Sequence, residues 1–290
     1  MKLRKLSIFD GVNVLFLLGL CLLVIIPFWY MLAVSLSPVS ESVGGRFYLF
    51  PKEFTLEAYR YLFSTNQFVN SLGNSIYLTA LGTVVNLIVS ITLAYAISRK
   101  TLPGRKIMLL LMLFTMVFSG GMIPKYLLVK SLGLLDSYWA LILPAATNAF
   151  TILVMKTFFQ NLPESLDEAA RIDGAGEMRI LWSVVIPLSM PIIATFSLFF
   201  MVSYWNDFFS AIIYLSNPEK WPIQVLLRQM VVVGNSNFAN EANLDFELAS
   251  QVGDNVKMAA IIVAMIPIVL VYPFLQKHFA KGAMLGSIKE

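Results

Sequence analysis

With 290 residues, 58% of them hydrophobic and only 13% charged, the chain carries about half the charge of a typical soluble domain (~25%) and has the composition of a membrane protein. A single cysteine, Cys21, and a single histidine, His278, exclude a disulfide framework, a thiolate metal site and a His-paired zinc site, so no metal is expected. The formal net charge of +4 is accounted for by the sidedness of the loops, which leaves no role for nucleic acid as a partner.

In chain order, the basic start MKLRKLSIFDG looks like the flank of a signal peptide. The apolar run behind it is far longer than a signal core of about 7–15 residues, so it reads as a retained first span over 12–36. A bilayer core about 30 Å thick needs about 20 apolar helical residues. Five further runs qualify: 72–97, 107–129, 138–159, 188–215 and 258–274. Helices are required, because lipid cannot satisfy open backbone groups and the runs lack the alternation of a barrel strand. The expected fold is therefore an all-α membrane protein of six transmembrane helices in one permease domain, 1–290. Within the third run, SGGMIP at 119–124 cannot continue a straight helix. A kink near the outer surface and a substrate-contacting break both fit it.

Lys2, Arg4 and Lys5, the group from Arg99 to Lys106, Lys156, Arg171, Arg179, and Lys277, Lys281 and Lys289 all fall on one side of such a layout. By the positive-inside rule this side is cytoplasmic and holds both termini. The opposite segments 38–71 and 216–257 carry acids, and the polar stretch NSNFANEANLDF at 235–246 reads either as a docking loop or as a linker.

Between the fourth and fifth spans lies a charged loop, 160–187, containing ESLDEAARIDGAGEMR. Burying each of its charges at mid-membrane would cost about 2.5–3.5 kcal/mol, so the loop lies outside lipid. Ser165 and Glu168 form a capping-box pattern, which predicts a short helix over 166–173. Gly174 and Gly176 break it, and a second helix from Glu177 to Val185 is expected to end at Pro187. The small side chains of Ala169, Ala170 and Gly174 suit close approach to another surface. Periodicity alone leaves a docking element and an ordinary solvated loop both open.

Among polar residues in the spans, Asp207 is the one carboxylate, and an ionisable group there is a site candidate by default. A hydrogen-bonded packing role beside Ser203, Asn206 and Ser210 is the competing reading. Aromatic faces and amides suit sugars, which stack through C–H surfaces and hydrogen-bond through hydroxyls. On that basis Tyr77, Asn86, Tyr95, Asn148, Tyr204 and Asn206 are path candidates, with interfacial anchoring as the alternative for the aromatics. The chain lacks HExxH, a second histidine and a pair of facing aspartates, which argues against a membrane-embedded enzyme. It also lacks GxxxxGK[ST], so it binds no nucleotide through that loop. An ion-coupled transporter using Asp207 remains the other alternative.

Glu168-Ala169-Ala170, Asp173-Gly174-Ala175 and Ile186-Pro187-Leu188 resemble the EAA loop of the inner-membrane permeases of ATP-binding-cassette importers. The likeness extends through Asn70 to Asn74, LPGR at 102–105, Tyr204-Trp205-Asn206-Asp207 and the tail LQKHFAKGAMLGSIKE. It is similar to the maltose-type carbohydrate group, and more closely to the branch importing complex or acidic oligosaccharides. The resemblance implies a bacterial cytoplasmic (inner) membrane protein and a coupling helix in which Glu168, Ala169, Ala170, Asp173 and Gly174 contact an ATPase subunit. It further implies a second permease, two ATPase subunits holding ATP and Mg, and an extracytoplasmic solute-binding protein. The tail 281–290 would lie near the ATPase pair.

Overall fold

The computed structural model describes residues 8–38, 49–51, 53–232 and 253–287, which are helical with no strand among them. The stretch 235–246, the basic residues Lys2, Arg4, Lys5 and Lys289, and the last three residues of the tail lie outside the described residues. Three helices are long and apolar enough to cross a membrane unbroken: α1 (Ile8–Ser35), α3 (Asn66–Ser98), and α12 (Asp254–Ser287) through its first 18 residues. Three bent pairs meet the same test when each is taken together, which gives six spans if each pair counts as one.

Each bent pair has a local cause. The break expected at SGGMIP is present: α4 (Arg105–Val117) and α5 (Met122–Ser131) meet at 119°. Gly121 supplies a φ of 78° there, a conformation costly for residues with a Cβ. Pro124 sits in the first turn of α5, where its missing N–H goes unused. The predicted fourth span is not one straight helix. It divides into α6 (Trp139–Ile142, extended by a 3-10 turn over Leu143–Ala145) and α7 (Ala149–Gln160), bent by 51°. Asn148 caps α7 by accepting from the Thr151 amide at 3.1 Å, so a side chain replaces the helical carbonyl at the break.

The fifth span also departs from expectation. Pro187 does not end the preceding helix, which runs through Glu177–Leu188 as α9, with a π turn over Leu181–Val185. Pro187 instead starts its last turn, and the chain swings by 83° at Ser189 into α10 (Met190–Asn206). A second break at 207–208 separates α10 from α11 (Phe209–Tyr214).

The chain packs as two compact units, Met1–Val69 with Leu227–Ile266, and Asn70–Leu226 with Pro267–Glu290. In the first, α2 (Glu57–Ser64) is tied to the end of α1 by Ser35 Oγ against Tyr59 Oη at 2.7 Å and by the Thr55 amide donating to the Leu36 carbonyl. The buried Asn255 Nδ2 donates to the Ser37 carbonyl at 3.2 Å. Most of α1 buries nothing within the chain, as expected of a helix whose solvent is lipid or a partner helix.

In the second unit, α3 buries a stripe of small residues, Ser71, Ser75, Gly82, Asn86 and Ser90. Small side chains let membrane helices approach closely, where apolar bulk brings no advantage over lipid. At Gly82 the approach is tightest, since a Cβ there would lie 2.5 Å from the Tyr204 ring. A core of Ile97, Ile152, Met155, Phe159, Leu181 and Phe196 joins α3, α7, α9 and α10. A second core around Leu78, Ile142, Tyr204 and Leu215 joins the other half of α3 to α6, α10 and α11.

Candidate functional site

The charged loop forms a short helix, α8 (Glu164–Ile172), followed by a turn and α9. The helix begins two residues earlier than the capping pattern predicts. Pro163 occupies the cap position, and no side-chain cap bond forms there. Ser165 and Glu168 therefore do not make the expected box. The carboxylates of the first turn are held from outside the helix instead, which stabilises them at its positive end. Lys100 Nζ donates to Glu164 at 2.9 Å and lowers its pKa by hydrogen bonding.

Arg99, the residue following α3, organises the loop. Its guanidinium donates to both oxygens of Asp167 on α8, pairs with Glu177 at the start of α9 at 3.4 Å, and lies 4.4 Å from the Tyr95 ring centroid. Tyr95 Oη donates to Glu177 Oε2 at 2.7 Å, and Arg171 from the end of α8 reaches the other Glu177 oxygen. Gln160 Nε2 donates to the Ser98 carbonyl at 3.0 Å, and Arg105 Nε to the Ile97 carbonyl at 2.8 Å. Both helices of the loop are thus strapped to one span end by a planar cation that can serve two carboxylates at once. Tyr95, a sugar candidate in the sequence, belongs to this strap.

The five predicted loop contacts divide between two faces. Ala170 packs inward against the core, and its carbonyl accepts the Ala175 amide at 2.9 Å. Glu168, Ala169, Asp173 and Gly174 are exposed. Gly174 has a φ of 77° with nothing within 4 Å of a Cβ position, so the chain itself leaves open space there. Beside them Ile172 is 86% exposed, and Leu166, Met178 and Trp182 are exposed too. Leu166 and Ile172 on α8 and Met178 and Trp182 on α9 are four apolar side chains without cover within the chain, a patch suited to contact with another apolar surface. The sequence reading missed Arg99, Glu177 and Ile172. Amphipathic spacing within ESLDEAARI carried a signal for Ile172, whereas Arg99 is paired across 68 positions and left none.

The polar candidates within the spans separate in the same way. Tyr204 is buried and donates to Asn86 Oδ1 at 3.0 Å, while Asn86 Nδ2 donates to the Ala145 carbonyl at 3.1 Å. This chain of bonds ties α10 and α3 to the break between α6 and α7. Asp207 sits at the α10–α11 break, where its Oδ1 accepts the Ser210 amide at 3.1 Å. Asn206 Nδ2 returns to the Val202 carbonyl of its own helix at 2.9 Å. Tyr77 is exposed and leans on Tyr138, with ring centroids 5.6 Å apart. Asn148 lines a cavity, of about 570 Å3, with Thr115, Met116, Thr147 and Phe150.

Away from the loop, Asp136 holds a second polar centre. Its backbone is left-handed, with a φ of 57°. Its Oδ1 accepts the Ser216 and Asn217 amides, and Oδ2 accepts Lys220 Nζ at 2.8 Å. The Lys220 hydrogen bond, and after it that of the Asn217 amide, holds this carboxyl below the ordinary carboxylate range. Asn74 Nδ2 donates to the Glu219 carbonyl at 2.6 Å, and Ser75 Oγ accepts the Ile223 amide at 2.7 Å, fixing the same segment to α3.

Repeated membrane-crossing helices, several broken and lined with polar groups, with a two-helix loop strapped to a span end, define a multi-pass transport permease. Residues 105–284 match the family described as the binding-protein-dependent transport system inner membrane component, and the chain belongs to that family. It is 50% identical to the polygalacturonan/rhamnogalacturonan transport system permease protein YtcP of Bacillus subtilis (strain 168), over 98% of this chain and 99% of the relative. It is 48% identical to Protein LplC of the same organism, over 97% and 95%. Among solved structures it is similar to a bacterial ABC transporter involved in the import of the acidic polysaccharide alginate. That match has a TM-score of 0.86 and 35% identity, and covers 96% of this chain and 99% of the other. The family and the permease YtcP are transport components by description, which supports a non-enzymatic role for this chain.

Proposed function

We propose that this chain is one of two membrane-spanning halves of an ATP-driven oligosaccharide importer, and that its cargo is acidic. The cargo reading rests on the polygalacturonan/rhamnogalacturonan permease and the alginate transporter, which are similar to it over nearly its whole length. Residues 1–290 act as one permease domain with both termini in the cytoplasm. A second, related permease completes the path, two ATPase subunits carry ATP and Mg, and an extracytoplasmic binding protein delivers the sugar. The cofactors belong to those ATPase subunits.

The observation that carries this reading is the loop. Its α8 offers Glu168, Ala169 and Ile172 outward while Arg99 and Asp167 fasten it to α3. An ATPase seated on that outer face moves α8, and the Arg99 strap passes the displacement into a span, so a two-state membrane domain is biased by nucleotide in another subunit. Along the path Asn148 faces the sugar, with Tyr77 and Asn206 as further contacts. Asn86, Tyr204 and Asp207 hold the broken helices in shape.

Gly174 provides the test. Gly174→Ala and Gly174→Trp meet the same left-handed backbone, costing about 1–2 kcal/mol, and the Cβ both share meets nothing within 4 Å in the chain. In the reconstituted complete importer, Gly174→Trp is expected to abolish uptake and sugar-stimulated ATP hydrolysis while Gly174→Ala keeps most of both. Equal behaviour of the two variants would remove the partner surface from this position.

A further inference from the structure

The breaks in the third and fifth spans open onto one cavity, of about 620 Å3. Ser119, Gly121 and Lys125 contribute from the α4–α5 break, and Phe209, Ser210 and Tyr214 from α11. We propose that this cavity is a subsite for one acidic sugar ring, with the Lys125 ammonium as the partner of its carboxylate. The inference rests on the oligosaccharide reading above and adds the place where the cargo's charge is met.

Lys125 stands in a bent segment that is apolar enough to count as part of a span, and a cation in such a position is costly unless water or a counter-charge serves it. Among the described residues it forms no ion pair, whereas Arg99, Lys100, Arg171, Lys220 and Lys257 all do. No acid lines the cavity among those residues. Among the described residues, the site thus has a positive charge without an ion-pair partner.

The remaining lining suits a pyranose. Phe209 is 56% exposed, an open aromatic face for ring C–H groups. The Ser119, Ser210 and Tyr214 side chains add hydroxyls that donate or accept. Tyr214 is held in place by a parallel stack on Tyr126, with centroids 6.1 Å apart and planes within 8°. A stacked aromatic wall beside an ammonium on a four-carbon stem suits a uronate ring. The two glycines at 120 and 121 leave the mouth clear, with nothing within 4 Å of a Cβ position at either.

The test uses the complete importer in membrane vesicles, with Cys21→Ser and Ser210→Cys placing the only thiol of this chain in the cavity. Labelling of that thiol by a neutral methanethiosulfonate is followed against trigalacturonate and its methyl ester. Trigalacturonate is expected to slow labelling at concentrations about tenfold lower than the ester, the scale of one charge-assisted hydrogen bond. Lys125→Gln should erase that difference and Lys125→Arg preserve it. Equal protection by acid and ester, no protection by either, or an unchanged difference in Lys125→Gln overturns the subsite. Uptake of trigalacturonate by the unsubstituted importer is measured in parallel. Its absence overturns the cargo reading, independently of what Lys125 does to labelling. Assembly of the Cys21→Ser, Ser210→Cys importer, followed by size-exclusion chromatography and its unfolding temperature in detergent, shows that the labelled protein is folded.

Discussion

The second compact unit has two polar centres built on opposite plans. Around Arg99, side chains from three elements meet one another, and no backbone amide takes part in the ion pairs. Around Asp136, one carboxylate accepts two backbone amides and a lysine, while its own amide donates to the Tyr214 carbonyl at 2.8 Å. Amides fixed in the chain give a joint one geometry. Long charged side chains allow a joint to stay made while the helices it connects change angle. In the proposed importer the movable joint stands where force enters from the ATPase, and the fixed one stabilises the opposite end of the same unit.

The largest expected effect breaks the movable joint. Arg99→Glu sets a third carboxylate against Asp167 and Glu177, and uptake should fall about tenfold or more, on the scale of one charge-assisted contact. Sugar-stimulated ATP hydrolysis should fall with it, while membrane insertion is kept. The exchange Arg99→Asp with Asp167→Arg restores an ion pair and should recover part of the uptake. Failure to recover any would show that Tyr95 and Glu177 carry the joint instead.

Between the two centres, Gly82→Ala drives a methyl group into the Tyr204 ring, which its bond to Asn86 keeps from moving aside. Overpacking of this kind costs about 1–3 kcal/mol and should lower the unfolding temperature in detergent. The penalty should shrink in a Tyr204→Leu background, and a penalty of the same size there would locate the strain elsewhere.

The fixed joint should yield less. Asp136→Asn keeps an oxygen for the Ser216 and Asn217 amides and loses the charge facing Lys220. Because that pair is about one-third exposed, the expected loss is under about 1 kcal/mol. Its pH dependence has a definite sign. The folded-state value lies below the ordinary 3.8 of an aspartate, so the stabilisation is complete above that ordinary value and is lost as pH falls through the lower folded one. Asp136→Asn should flatten the acid limb of a stability-against-pH curve, and an unchanged limb would assign it to other carboxylates. Smallest of all is Lys100→Ala. Both members of its pair with Glu164 are 77% exposed, so neither uptake nor unfolding temperature should change measurably.

Long apolar runs made the helical class and the membrane setting legible, because hydropathy sums over about 20 residues and tolerates errors at single positions. The same summation hid the breaks at 146–148 and at Ser189, since one Asn or Ser barely lowers such a sum. The break at SGGMIP was visible because two glycines and a proline change backbone preference directly. The short helix expected in the charged loop is present, yet its start is shifted. Pro163 and the external cations, rather than Ser165, decide that start, and nothing local in the sequence announces Lys100 or Arg99 as partners. Asn86 and Tyr204 were recognised as polar residues in apolar runs, but their mutual bond spans 118 positions and only folding brings it into being.

The paired alanines of α8 have a consequence for how the subunits of such an importer can change together. Ala170 is fitted to the permease's own interior, whereas Ala169 looks outward. Two neighbours of the same type thus answer to different surfaces. A permease refitted to a foreign ATPase would be adjusted at Ala169 and Ile172 and left alone at Ala170. In the proposed importer, the boundary between what this chain decides for itself and what its partner decides passes between two adjacent residues.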